Sequence, residues 1–357
     1  MPEAQLYARV WVRVIRVIRA IRVSFPDRRC QMVQNRHNDA MRRALLVSAV
    51  LAGVAVATTV YRADAVGRQQ RFHVGVDLVH FSVIVTDKQG APITGLTVED
   101  FELVEEGKPQ SITYFSEGDP DAGNRLAEVL PLRLGLALDT SGSMDRDIND
   151  VRTGVIKFLL ANQAAVDFTL VDFDTEVRVT RYGPDETERL IERIRRRKPD
   201  GWTALYDAIG VYLHSVGAVD GQKILLVYTD GGDTRSELTF PDLLDLLKSN
   251  DVTVYSIGYL ENQPASARTL QQTQLQRMAS ITGGQAFFPT SVKDLEKIYE
   301  KIQREIAARY SLGYLSNDTR KDGAWRKVEI RVKRPELKGA KLRTRGGYFA
   351  PYRAGSH

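Results

Sequence analysis

Five oxygen-bearing side chains stand where apolar runs of the sequence end. The run LGLALD closes on Asp139, and Ser141 and Ser143 follow at alternate positions. Thr203 lies in Gly201-Trp202-Thr203-Ala204, directly before an amphipathic stretch. The run KILLVYTD closes on Asp230, and Gly231-Gly232 lets the backbone turn tightly behind it. Together they offer three hydroxyls and two carboxylates, all hard oxygen donors. Mg²⁺ takes about six oxygens in an octahedron and readily keeps water. Five such side chains with water and one open position suit it, and Mn²⁺ or Ca²⁺ could take the same oxygens.

Other chemistries fit less well. A serine hydrolase wants a Gly-x-Ser-x-Gly elbow and a placed histidine; here Ser141 sits in Asp-Thr-Ser-Gly-Ser and His214 lies on a helical stripe. A phosphotransferase with Asp after its first strand needs a second Asp where this chain has Ser141. Neither Gly-x-Gly-x-x-Gly nor a phosphate-binding Gly-Lys-Ser/Thr loop occurs. The histidines are scattered and Cys30 is the only cysteine, which leaves no zinc site and no intramolecular disulfide. The bland alternative makes Asp139 and Asp230 helix caps and the serines turn formers. It serves for one motif and strains to cover all five in order. No catalysis is expected. Asp145, Asp147 and Asp233 read as caps or solvated loop residues, Tyr228 and Phe173 as core, and Trp202 as a partner-site lining or a wall residue.

The elements that must position these residues follow from periodicity. From Leu132 to Ile306, buried apolar runs alternate with amphipathic helical stretches, the pattern of parallel strands with helices on both faces. The expected fold class is therefore α/β, a doubly wound, mostly parallel, Rossmann-like sheet. In such sheets the carboxyl ends of the strands share one edge, where ligands bind, so the three loops can meet. EVRVTRY reads as a short edge strand. DETERLIERIRRRK reads as a surface helix whose Arg193–Lys198 run is a solvated face. On either side the period changes to two: VDLVHFSVIVTD and FELVEEGKPQSITYF before, and YSLGYLS, WRKVEIRVKR and KLRTRGGYFAPY after. FELVEEGKPQSITYF reads as two strands joined at Glu106–Pro109. Too small to bury a core alone, the tail is expected to pack with the leading strands as one β-sandwich around the inserted α/β domain. The expected divisions are a leader over 1–40, a signal segment over 41–65, a β-rich segment over 66–122, the α/β domain over 132–309 and terminal strands over 310–353.

Charge argues against nucleic acid. The chain's net +5 comes from its start: residues 1–43 hold ten arginines against three acids, whereas everything after residue 65 holds 39 basic and 41 acidic residues. Met41-Arg42-Arg43, an apolar run of 17 residues over 44–60 and Ala63-Asp64-Ala65 form the pattern of a secretory signal peptide. An uncleaved membrane anchor is the competing reading. Residues 1–40 read as an over-extended gene start, because Met41 begins a complete signal by itself; a basic amphipathic helix on a membrane surface is the other reading. The protein is expected to be exported, to the periplasm or the medium, with membrane contact only if the segment stays uncleaved.

Asp139-Thr140-Ser141-Gly142-Ser143, Thr203 in Gly-x-Thr and Asp230 in Thr-Asp-Gly resemble the metal-ion-dependent adhesion site of von Willebrand factor type A domains. All five positions of that motif are present in order over about Leu132–Ile306, and the flanks resemble an exported bacterial group of such proteins. The resemblance implies that Ser141, Ser143 and Thr203 touch the metal directly, while Asp139 and Asp230 act through water or hold the hydroxyls. It also implies a protein partner that brings an Asp or Glu carboxylate to the metal. A structural protein assembling through its β-sandwich, with a dispensable metal site, is the alternative, and a metal-dependent hydrolase is a more distant one.

Overall fold

The computed structural model of the chain describes residues 78–118, 131–217 and 219–351. The expected leader, the signal segment and the linker after Gly118 lie outside the described residues. From Leu78 onward the described residues belong to one compact unit. No helix among them is long and apolar enough to cross a membrane.

Four strands come first: β1 (Leu78–Thr86), β2 (Phe101–Glu105), β3 (Lys108–Gln110) and β4 (Ile112–Glu117). The α/β region follows with β5 (Leu132–Asp139), α1 (Ile148–Ala161), β6 (Asp167–Phe173), β7 (Val177–Tyr182), α2 (Thr187–Arg196), α3 (Leu205–Val216) and β8 (Gln222–Thr229). It continues with α4 (Phe240–Lys248), β9 (Val252–Gly258), α5 (Ala265–Ile281), β10 (Ala286–Phe287) and α6 (Val292–Ala307). The chain closes with β11 (Tyr310–Leu315), β12 (Trp325–Val332), β13 (Lys341–Arg343) and β14 (Gly347–Phe349).

The α/β region forms a six-stranded sheet in the order β10-β9-β8-β5-β6-β7, parallel except for the edge strand β7. β6 and β9 are buried along their whole length, as strands covered on both faces must be. Alternation along β5 sends Leu134, Leu136 and Leu138 into a core with Val151, Val155, Leu190 and Leu295. Ala137 faces the other way, into a core with Ile209, Tyr212, Leu243 and Leu275. One face is thus covered by α1, α2 and α6, the other by α3, α4 and α5. After β5 the chain moves to one side through β6, and β8 returns on the other. The loops leaving β5 and β8 diverge there and open a crevice at their carboxyl ends.

The flanking strands make two antiparallel sheets, β13-β1-β11-β4 and β14-β12-β2-β3. Leading and terminal strands alternate in both: β1 pairs with β11, and β2 with β12. Phe81, Val83, Leu312 and Tyr314 of one sheet share a core with Phe101, Leu103, Val328 and Ile330 of the other, so the two sheets pack as a sandwich. One expectation needs correcting. FELVEEGKPQSITYF holds three strands, not two: β2 and β3 form a hairpin around Glu106-Gly107, and β4 crosses to the other sheet. β3 is three residues long and has no buried residue, so only its pairing with β2 identifies it.

Candidate metal centre

Asp139 is the last residue of β5, and Asp230 follows directly on β8, so the parallel pairing of these two neighbours carries both acids to one edge. Asp139 is fully buried. Its Oδ1 accepts the Ser141 backbone N–H at 2.9 Å, and its Oδ2 accepts the Thr229 hydroxyl at 2.6 Å. Each oxygen thus takes one hydrogen bond, and the pair of bonds fixes the turn that carries the serines. The Ser141 and Ser143 hydroxyl oxygens lie 3.1 Å apart, and Ser143 hydrogen-bonds the Asp230 carboxylate. Gln263 donates to Asp230 Oδ2 at 3.2 Å. Gly231 holds a φ of +100°, a conformation natural to glycine, and its N–H donates to the same Thr229 hydroxyl at 2.9 Å.

Thr203 arrives from a third loop. Gly142 N–H donates to the Gly201 carbonyl at 3.1 Å, and Asp200 N–H to the Thr140 carbonyl at 2.9 Å. These two bonds tie the Asp200–Thr203 loop to the serine turn. On its other side the Thr203 carbonyl accepts from Thr234 N at 2.9 Å and Arg235 N at 3.1 Å, and its own N–H donates to the Thr234 hydroxyl at 3.0 Å. The five residues singled out in the sequence therefore belong to three loops locked to one another. Ser143 is exposed, whereas Ser141, Thr203 and both acids are buried, so the group opens to solvent on the Ser143 side.

The electrostatics of the pair are unusual for buried acids. Burial, and then the Asp230 charge, push Asp139 up to about 7. Burial also raises Asp230, against a hydrogen bond from Ser143, with the Asp147 charge adding to the rise. The charged neighbours that act most on each are other acids, and neither carboxylate has an arginine or lysine partner among the described residues.

A divalent ion would fit this donor set. All five side chains offer oxygen, which a hard cation prefers. In an octahedron with metal–oxygen bonds of about 2.1 Å, adjacent oxygens stand about 3 Å apart, close to the Ser141–Ser143 spacing. Among the described residues no three His, Cys, Asp or Glu side chains group in a metal-holding geometry. A cation at this edge would therefore have to use hydroxyls.

Several neighbours behave differently from their sequence reading. Asp147 occupies the N-cap position of α1, yet its side chain makes no capping hydrogen bond. Burial raises its carboxyl, and its charge acts on Asp230. Asp233 does cap, accepting the Tyr206 N–H at 3.0 Å near the start of α3. Trp202 is no wall residue: it is 65% exposed. Two arginines of the basic run are not a solvated face, since Arg193 chelates Asp172 and Arg197 reaches Asp174 at the end of β6. Tyr228 and Phe173 are core. Thr229 and Gln263 were not legible as site residues; the place of Thr229 directly before Asp230 was the available signal for the first.

A parallel sheet with three hydroxyl- and carboxylate-bearing loops at its carboxyl edge defines a class, and sequence comparison names it. Residues 134–301 match the family model of the von Willebrand factor type A domain, and the chain carries a domain of that family. The uncharacterized protein YwmC of Bacillus subtilis is 24% identical over 196 residues, 47% of this chain and 82% of its own length. Among solved structures, a von Willebrand factor type A protein from Catenulispora acidiphila is 14% identical with a TM-score of 0.42; the match covers 62% of this chain and 66% of that one. The corresponding domain of the type V pili tip protein Mfa5 from Porphyromonas gingivalis is 13% identical with a TM-score of 0.42, over 50% of this chain and 96% of that one.

Proposed function

We propose that this chain is an extracytoplasmic protein-binding module for adhesion or assembly, dependent on a divalent metal, with Mg²⁺ at the five-residue site. The observation that carries the reading is the pair of buried acids without a cationic partner, set against three small hydroxyl side chains. Ser141, Ser143 and Thr203 hold the ion through their oxygens. Asp139 and Asp230 orient those hydroxyls and accept hydrogen bonds from water on the metal. An ion held mostly by neutral oxygens keeps much of its charge and offers it to a carboxylate from outside. The export pattern at Met41–Ala65 supports the extracytoplasmic location, and no catalytic role is assigned. The test is capture of proteins from an envelope fraction by the immobilised chain. Capture is expected in Mg²⁺ and lost both with chelator and with Asp139→Ala. Capture that survives both changes would move association to another surface, such as the β-sandwich.

A further inference from the structure

Among the described residues, the large apolar side chains left exposed are five aliphatic residues and one aromatic, and that aromatic, Trp202, is the most exposed of them at 65%. A single exposed apolar residue is ordinary on a protein surface. The loop that holds this one is not. Gly201 adopts a φ of +74°, and the Thr175 hydroxyl fills the space that a Cβ at 201 would take. The same hydroxyl accepts the Trp202 N–H at 2.9 Å, and the Gly201 carbonyl accepts the Gly142 N–H. These contacts fix the backbone that leads into Trp202 and on to Thr203, and the indole it carries is left in water. Thr203, the next residue, is 4% exposed. Consecutive Cα atoms are about 3.8 Å apart, so a water-exposed indole is carried by the residue next to the one whose hydroxyl would hold the metal.

We infer that this site selects carboxylates flanked by a large apolar side chain: the metal takes the acid and the Trp202 indole takes its neighbour. The inference rests on the metal-dependent reading above and adds the chemistry of the partner. Tryptophan is among the residues in which interface binding energy concentrates. An aromatic pair adds about three- to tenfold in affinity beyond area burial.

The experiment uses the full chain in Mg²⁺ and two peptides of equal charge, acetyl-Gly-Phe-Asp-Phe-Gly-amide and acetyl-Gly-Ser-Asp-Ser-Gly-amide. The ratio of their affinities is the readout, because altered metal loading moves both peptides together. The wild-type protein is expected to favour the phenylalanine peptide by about three- to tenfold. Trp202→Ala should bring the ratio to about one, and Trp202→Phe should retain most of it. Equal affinities in the wild type, or a ratio that survives Trp202→Ala, would overturn the inference and leave the metal–carboxylate reading standing. If neither peptide binds better in Mg²⁺ than in chelator, that reading fails, and this one with it.

Discussion

At the end of β6, Asp172 and Asp174 meet Arg178, Arg193 and Arg197; one strand away, at the ends of β5 and β8, Asp139 and Asp230 meet no arginine or lysine of the described residues. The two groups are close in register, since Asp139 pairs with Phe173, which stands between Asp172 and Asp174. Burial alone would raise Asp174, yet hydrogen bonds from Arg178, the Glu176 backbone and Arg197 bring it below its ordinary value. Asp139 is moved the opposite way, by burial and by a second acid. Buried charge is costly unless paired. The chain supplies guanidinium groups where an acid cluster serves the fold. Where it withholds them, the buried acid either keeps its proton or takes a compensating charge from outside, and the proposed metal would supply that charge.

The sharpest way to break this contrast is to remove a cation from the compensated group. Arg178 bridges both acids with a side chain only 18% exposed. Arg178→Ala should therefore cost on the order of 3 kcal/mol in urea unfolding, with or without Mg²⁺. A loss that Mg²⁺ restores would mean that the two clusters are not separate.

The uncompensated group predicts a pH dependence of definite sign. In the folded, metal-free chain Asp139 keeps its proton up to about pH 7, whereas unfolded it does so only up to about 4. Its contribution to stability is therefore present below about pH 4 and lost as pH rises toward about 7. Relative to Asp139→Asn, metal-free wild type should lose on the order of 2 kcal/mol between pH 4.5 and 7.5, at about 1.4 kcal/mol per pK unit with partial relaxation. Saturating Mg²⁺ should remove that loss. Parallel curves for the two proteins in chelator would contradict the assignment of the raised carboxyl.

A smaller effect separates the proposed direct ligands from the groups behind them. Thr203→Val keeps shape and removes one hydroxyl. It should weaken Mg²⁺ binding at least tenfold, about 1.4 kcal/mol, and change metal-free stability by less than about 0.5 kcal/mol. The smallest effect belongs to Arg196, whose pair with Glu192 is solvent-exposed. Arg196→Ala should shift the unfolding midpoint by an amount equivalent to less than about 0.5 kcal/mol.

Much of this architecture was legible in the chain because it rests on local pattern. The apolar runs ending at Asp139 and Asp230 mark adjacent parallel strands, and a doubly wound sheet puts their ends together. The sandwich was legible from period-two stretches on both flanks. What escaped was set by partners distant in sequence. β3 is defined only by its pairing with β2, and KLRTRGGYFAPY divides into β13 and β14, which join different sheets. Arg193 and Arg197 looked like a solvated run because their acids lie on β6 and directly after it, 21 and 23 residues earlier. Asp147 read as a cap or a loop residue, and it takes the N-cap position without the capping bond, because side-chain direction decides capping and spacing does not carry it.

The most direct test is a calorimetric titration of Mg²⁺ into the metal-free full chain at pH 7.5, beside the Asp139→Asn variant. One saturable ion per wild-type chain is expected, with a raised unfolding midpoint, and no saturable heat from the variant. Absence of saturable binding in the wild type, or equal binding in both proteins, would contradict the claim that these two acids await an external cation.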